Sequence, residues 1–341
     1  MINDKRLSYG RRPFALNGRA RSTLCTLLLP CALVGCEADL NLAGVAKEAA
    51  QASHRTDFYQ AMASTSQVTL LAGNSGVMLV SRDQGQSWSR QVIADGRSLI
   101  DLDACADGSF IALSFDNHLW HSSDLGLTWS EFVLPTEEQM LTAACAPNGS
   151  WWVAGGLTTL LGSHDQGANW TENSLGEDAM LTNLQFIDDE HAVATGEFGL
   201  LFASQDGGAH WQLAGTLPDE FYPHASYFRS PEEGWVGGLN GFIYHTTDAG
   251  QSWQRQSTPS SAPIFGFLAS DNGLFAVGDH SSVLQLAGEQ WQTLPTPDAP
   301  VYLRAITADT AQRLIVAGGR GLLLTLDTAP SAMPAVATTT D

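Results

Sequence analysis

The stretch "SRDQGQSW", Ser81 to Trp88, returns four times: "SSDLGLTW" from Ser122, "SHDQGANW" from Ser163, "SQDGGAHW" from Ser204 and "TTDAGQSW" from Thr246. One such acid would suggest chemistry; the same acid at five even intervals suggests geometry. In a turn of this kind the carboxylate accepts N–H bonds from its own loop, glycine takes the positive φ that reverses the chain, and Ser or Thr adds a local acceptor. Asp83, Asp124, Asp165, Asp206 and Asp248 are therefore read as structural. The Trp that closes each turn is read as starting an outer strand and filling the gap between sheets.

A second landmark precedes each of these aspartates by ten residues: Gly73, Ser114, Gly155, Gly196 and Gly238, continued by Gly278 and Gly318 without the acid. The mean spacing is about 41 residues, so the chain holds seven units. Each unit has four short β-branched or aromatic runs broken by turn residues, and no window carries a helical period of useful length. Such a repeat predicts an all-β, seven-bladed β-propeller of four-stranded antiparallel blades over residues 57–328. In unit six the turn reads "LQLAGEQW", Leu284 to Trp291, which keeps Gly288 and Trp291 but not the acid. Unit seven stops near Asp327, before an outer strand can form, and leaves an open edge. A strand from residues 42–58 is expected to close it, although "AKEAAQAS" in that span reads as a helical or flexible tether.

The N-terminus reads separately. Six basic residues from Lys5 to Arg21 precede the apolar run "LCTLLLPCALV", Leu24 to Val34, which is too short to span a membrane and fits a signal peptide. The run ends in "LVGC", which resembles the lipobox of bacterial lipoproteins and makes Cys36 a lipidated first residue. The expected plan is a signal peptide at 1–35, a lipid-anchored tether at 36–56, the propeller, and a disordered Pro/Ala/Thr tail at 329–341. The product would be exported and face the periplasm from a membrane. Cleavage would leave ten basic against 35 acidic residues, a net charge of −25, which excludes nucleic acid as the partner. Cys105 and Cys145 hold matching places in adjacent units; a disulfide is conceivable, and two small unpaired buried side chains are the favoured reading.

The aspartate turns, together with the Gly-x-x-Gly-like "GEFG", "GLNG" and "GGRG", resemble the bacterial neuraminidase repeat, and most closely the photosystem II stability and assembly factor family. The resemblance covers about residues 58–327. It implies a seven-bladed propeller that acts without catalysis or cofactor, binding a membrane protein complex as a monomeric assembly scaffold. In a propeller the loops feeding each inner strand and the Gly-x-x-Gly turns share the face around the channel mouth. Aromatic and Arg side chains there suit an interface, so the expected docking rim is Arg97, Glu197, Phe198, Tyr222, His224, Tyr302, Arg304 and Arg320. Phe58, Tyr59, Met140, Met180, Phe221 and Phe265 lie in the same loops.

The alternative is a sialidase-type glycoside hydrolase, in which arginines would hold the substrate carboxylate and Tyr222 and Glu197 would serve as the nucleophile pair. The six-bladed form usual for sialidases and their early arginine segment do not match this chain. His118 and His121, three apart on a strand, face opposite sides and cannot share a metal there.

Overall fold

The computed structural model describes residues 42–310 and 313–328. Cys36, the signal peptide and the 329–341 tail lie outside the described residues. Seven antiparallel sheets follow one another along the chain, at residues 59–92, 99–133, 140–174, 181–216, 223–256, 264–293 and 303–327, here blades 1 to 7. Six have four strands in sequential order and blade 7 has three. In blade 1 the strands are Tyr59–Ser64, Thr69–Gly73, Val77–Ser81 and Ser89–Val92. A short helix, Ala43–Ala49, precedes the ring.

The second strand of each blade is buried on both faces, so its alternate side chains serve two different cores. Leu70 and Ala72 join Leu99, Phe110 and Trp120 between blades 1 and 2, whereas Leu71 joins Ala305 and Ala317 between blades 1 and 7. Seven such cores lie at the seven junctions, and each tryptophan of an aspartate turn packs into the core it shares with the preceding blade. Stability is thus distributed over seams.

The aspartate turns cap themselves. Asp83 Oδ1 accepts from Ser87 N at 2.8 Å and from Ser81 Oγ at 2.9 Å, while Ser81 Oγ accepts from Gly85 N at 2.7 Å. Asp124, Asp165, Asp206 and Asp248 repeat this pattern. These bonds hold every one of the five carboxyls below the usual range, Asp124 and Asp206 at about 2.

Two expectations need correction. Cys105 and Cys145 are not separate thiols: a disulfide joins them, Cα to Cα 5.1 Å, across the seam of blades 2 and 3. Matching places in adjacent inner strands are neighbours in space, and here the pair is near enough to bond. The open edge of blade 7 is not closed by a strand from residues 42–58. That span instead forms a polar latch. Asp57 takes Arg90 of blade 1 in a two-point ion pair (2.6 and 2.9 Å) and accepts from His54 N and Tyr59 OH. Its neighbours reach the blade 7 turn, with Ser53 Oγ donating to Gly321 O and Gly321 N donating to Asp57 O. The third strand of blade 7, Leu323–Asp327, is consequently half exposed, whereas Val77–Ser81 of blade 1 is wholly buried.

Candidate functional site at the channel mouth

Every inner strand carries a bulge near its start. The register slips by one residue in all seven blades, which leaves Gln60, Ile100, Leu141, Thr182, His224, Phe265 and Arg304 without a partner across the sheet. A bulge re-aims the side chain it frees. Six of these seven line one cavity of about 190 Å³ at the channel, with Asp101 beside them. The site is therefore a ring built from one column of the repeat.

Two of the ring residues, His224 and Phe265, are aromatic, and two tyrosines beside them extend the arc. Tyr222 lies 5.2 Å from His224, His224 lies 5.3 Å from Phe265, and Phe265 meets Tyr302 edge-on at 6.3 Å. The arc ends on blade 1, where Gln60 Nε2 donates to Tyr302 OH at 2.8 Å. Burial, and then the charge of Arg304, pushes the His224 pKa down, so the ring is neutral at pH 7. Burial raises the Tyr302 hydroxyl, and burial with the Glu197 carboxylate raises that of Tyr222. Both phenols stay protonated and donate or accept hydrogen bonds.

The residues singled out from sequence separate into groups. His224 and Arg304 are in the ring, Tyr222 and Tyr302 flank it, and Glu197, whose carboxylate helps to raise the Tyr222 hydroxyl, accepts from Met180 N at 2.9 Å. Phe198 and Arg320 project from turn tips on the same face, each in left-handed conformation and exposed. Arg97 is engaged elsewhere: Asp116 (2.8 Å) and Glu131 (2.7 Å) hold it against Trp120 on blade 2. Tyr59, Met140 and Phe221 are buried and offer no docking surface. Gln60, Leu141 and Thr182 had gone unread; aligning the units on their terminal glycine or serine puts them 13 or 14 residues before it, in the column of His224 and Arg304.

The arrangement offers aromatic faces, one guanidinium with no ion pair among the described residues, and polar groups set by the backbone. The structure does bring Tyr222 and Glu197 together. It does not gather the three arginines of a carboxylate clamp, because Arg97 is spent on blade 2. Among the described residues no cluster of His, Cys, Asp and Glu could hold a metal ion, and no helix is long and apolar enough to cross a membrane.

Residues 169–264 match the family model described as photosynthesis system II assembly factor YCF48. No curated protein matches the chain. Solved structures with a similar fold include one titled YCF48 bound to D1 peptide, at 17% identity and TM-score 0.67, covering 80% of this chain and 92% of that one. YCF48 from Cyanidioschyzon merolae is similar at 16% identity and TM-score 0.65, over 80% and 96% of the two chains. Virginiamycin B lyase from Staphylococcus aureus is similar at 14% and 0.69, over 80% and 95%. At these identities the structural likeness speaks for the fold and leaves activity open. The chain is a seven-bladed β-propeller in which residues 169–264 match the model of the photosystem II assembly factor family.

Proposed function

We propose that the protein is a non-catalytic scaffold that binds a partner protein of a membrane complex on the channel-mouth face, held outside the cytoplasm by a lipid on Cys36. One observation carries this reading. Of the nine large apolar residues that the described propeller leaves exposed, seven lie at strand ends and turns of that face: Phe58, Val92, Phe115, Val133, Leu157, Phe198 and Leu239. The opposite face shows the self-capped aspartate turns and only Leu127. Apolar side chains gathered on one face, with Arg304 and Arg320 among them, are what a protein interface needs. The peptide held by the similar YCF48 structure fits the same mode of action.

The test is site-specific photo-crosslinking in cells. A crosslinker at position 198 or 320 should give a discrete adduct that Arg304→Ala weakens, and one at Leu127 should give none. Equal adducts on both faces would reject the docking face. Cys36→Ser should move the protein from the membrane to the soluble fraction; unchanged fractionation would remove the lipid anchor. The Tyr222 and Glu197 pair favours the sialidase reading, which a fluorogenic sialoside addresses directly. Turnover abolished by Tyr222→Phe would replace the scaffold reading.

A further inference from the structure

Six of the seven seams are filled by the tryptophan that opens a fourth strand: Trp88, Trp129, Trp170, Trp211, Trp253 and Trp291. The seam of blades 6 and 7 has none, because among the described residues blade 7 ends at its third strand. Leu322, Leu324 and Leu326 face this seam and stay only partly buried, as do Leu268 and Leu294 on the blade 6 side. No residue of Leu323–Asp327 is buried, whereas each of the other six third strands buries at least two.

The backbone of this edge is open as well. Gly318 N donates to Leu322 O, and ladder bonds alternate along an antiparallel strand. Leu324 and Leu326 therefore turn their N–H and C=O groups to the second strand, while Leu323 and Thr325 turn theirs outward. Such an edge is a template on which another strand can be added.

The flanking segments of the chain do not suit this seat. By spacing from the next inner strand, residues 49–52 hold the place that Ser89–Val92 hold in blade 1, but Glu48 stands where Trp88 does. The latch also holds them on the other seam: Ala52 packs in the core of blades 7 and 1, and its carbonyl accepts from Arg90 at 3.1 Å. On the C-terminal flank the same spacing puts Pro330 at the place where Gly85 takes a φ of 79°, and Pro334 at that of Ser89, which pairs with Val80. A proline neither takes that φ nor donates to a ladder.

We propose that the open edge of blade 7 takes an extended segment of the partner protein as a fourth strand, antiparallel to Leu323–Asp327. An aromatic side chain of the guest stands opposite Leu326, as Trp88 stands opposite Ser81, and an aliphatic one stands opposite Leu324. The peptide groups of the guest pair with those of Leu323 and Thr325. The edge continues directly from Arg320 and Gly321, so a segment seated there emerges on the channel-mouth face beside an exposed guanidinium. The inference rests on the scaffold reading and adds to it the form in which the partner binds.

The probe is the capped heptapeptide SWSVQVI, the sequence of Ser87–Ile93 with Arg90→Val. The controls are SASVQVI and SWSVQVI methylated on the backbone nitrogens of its third and fifth residues. The readout is amide hydrogen exchange at Leu323 and Thr325 in the full chain. SWSVQVI should slow both amides saturably, by about tenfold or more. SASVQVI should bind about tenfold more weakly, and the methylated peptide should have no effect. Thr325→Pro removes an outward N–H, leaves the inner ladder intact and should abolish the slowing at Leu323. No slowing at about 5 mM peptide, equal slowing by the methylated peptide, or equal affinity of SASVQVI overturns the proposal. So does strong protection of both amides before any peptide is added. Protection lost in a chain ending at Thr328 would assign the edge to the C-terminal residues of the same chain, and protection lost on dilution would assign it to a second copy. Crosslinking from position 198 scores the channel mouth separately, so a failure at the edge leaves that docking face standing.

Discussion

The seam between blades 2 and 3 and the seam between blades 5 and 6 derive from the same repeat and have gone opposite ways. On the first, three ties cross within five residues. Asp101 Oδ2 accepts from Thr142 Oγ1 and Ala143 N, Asp103 Oδ2 accepts from Cys145 N, and Cys105 is bonded to Cys145. On the second, the turn glycine that presses on the neighbouring blade at five other seams meets nothing at Gly288, and a groove of about 720 Å³ lined by Trp235 takes its place. Because each seam has its own core, one can be welded while another opens and the ring still closes. The difference shows which seam the molecule ties tightly and which it leaves loosely filled.

The largest expected effect is on the welded seam. Cys105→Ala with Cys145→Ala releases a loop of 40 residues and should cost about 4 kcal/mol in urea unfolding under oxidising conditions. A loss below about 1 kcal/mol would mean that the covalent tie adds little to the two carboxylates. Next comes the sealed counterpart of the open groove. Gly208→Ala drives a methyl group into Trp152 and should cost about 3 kcal/mol, with Trp152→Ala near 4. Trp235→Ala should cost about 2 kcal/mol, since it also relieves an unpaired donor. Equal costs at the two tryptophans would erase the contrast between the seams.

The pH profile separates the welded seam from the aspartate turns by sign. Burial pushes the Asp103 carboxyl up to about 6, so the folded chain holds that proton more tightly than the unfolded chain does. Its contribution is fully present below about pH 4 and is lost as pH rises through 6, on the order of 3 kcal/mol. Asp103→Asn should flatten this limb, and an unchanged slope between pH 4 and 7 would remove Asp103 as its source. The aspartate turns act oppositely. Hydrogen bonds from Thr128 and His210 hold Asp124 and Asp206 at about 2, so their stabilisation is present above about pH 4 and fades as pH falls through 2.

The sequence announced the ring plainly because five near-identical turns and seven spaced landmarks can be read without knowing any contact. The role of the five aspartates was legible for the same reason, since each bonds only its own loop. What stayed hidden depends on side chains that meet outside the repeat. The Asp57 and Arg90 latch joins residues 33 apart with no counterpart in other units. The disulfide required knowing that the two inner strands run side by side at that depth. Arg97 looked like rim because of its loop, but two acids of its own blade capture it. The groove was hidden by length: "LQLAGEQW" and "SQDGGAHW" are both eight residues, and the apolar Leu284, Leu286 and Ala287, which extend the strand where the aspartate turn has its Ser, Asp and Gly, mark the tight hairpin.

The smallest effect is the sharpest test of that last point. Gly288 and Gly208 occupy one place in the repeat and both have positive φ, so an alanine at either pays the left-handed backbone penalty, about 1 kcal/mol. At Gly288 nothing else is added, because the space above it is open. Gly288→Ala should therefore stop near 1 kcal/mol, some 2 kcal/mol short of Gly208→Ala. A cost at Gly288 matching that at Gly208 would mean that blade 6 still carries a packed turn in solution. The groove would then be filled from within the chain.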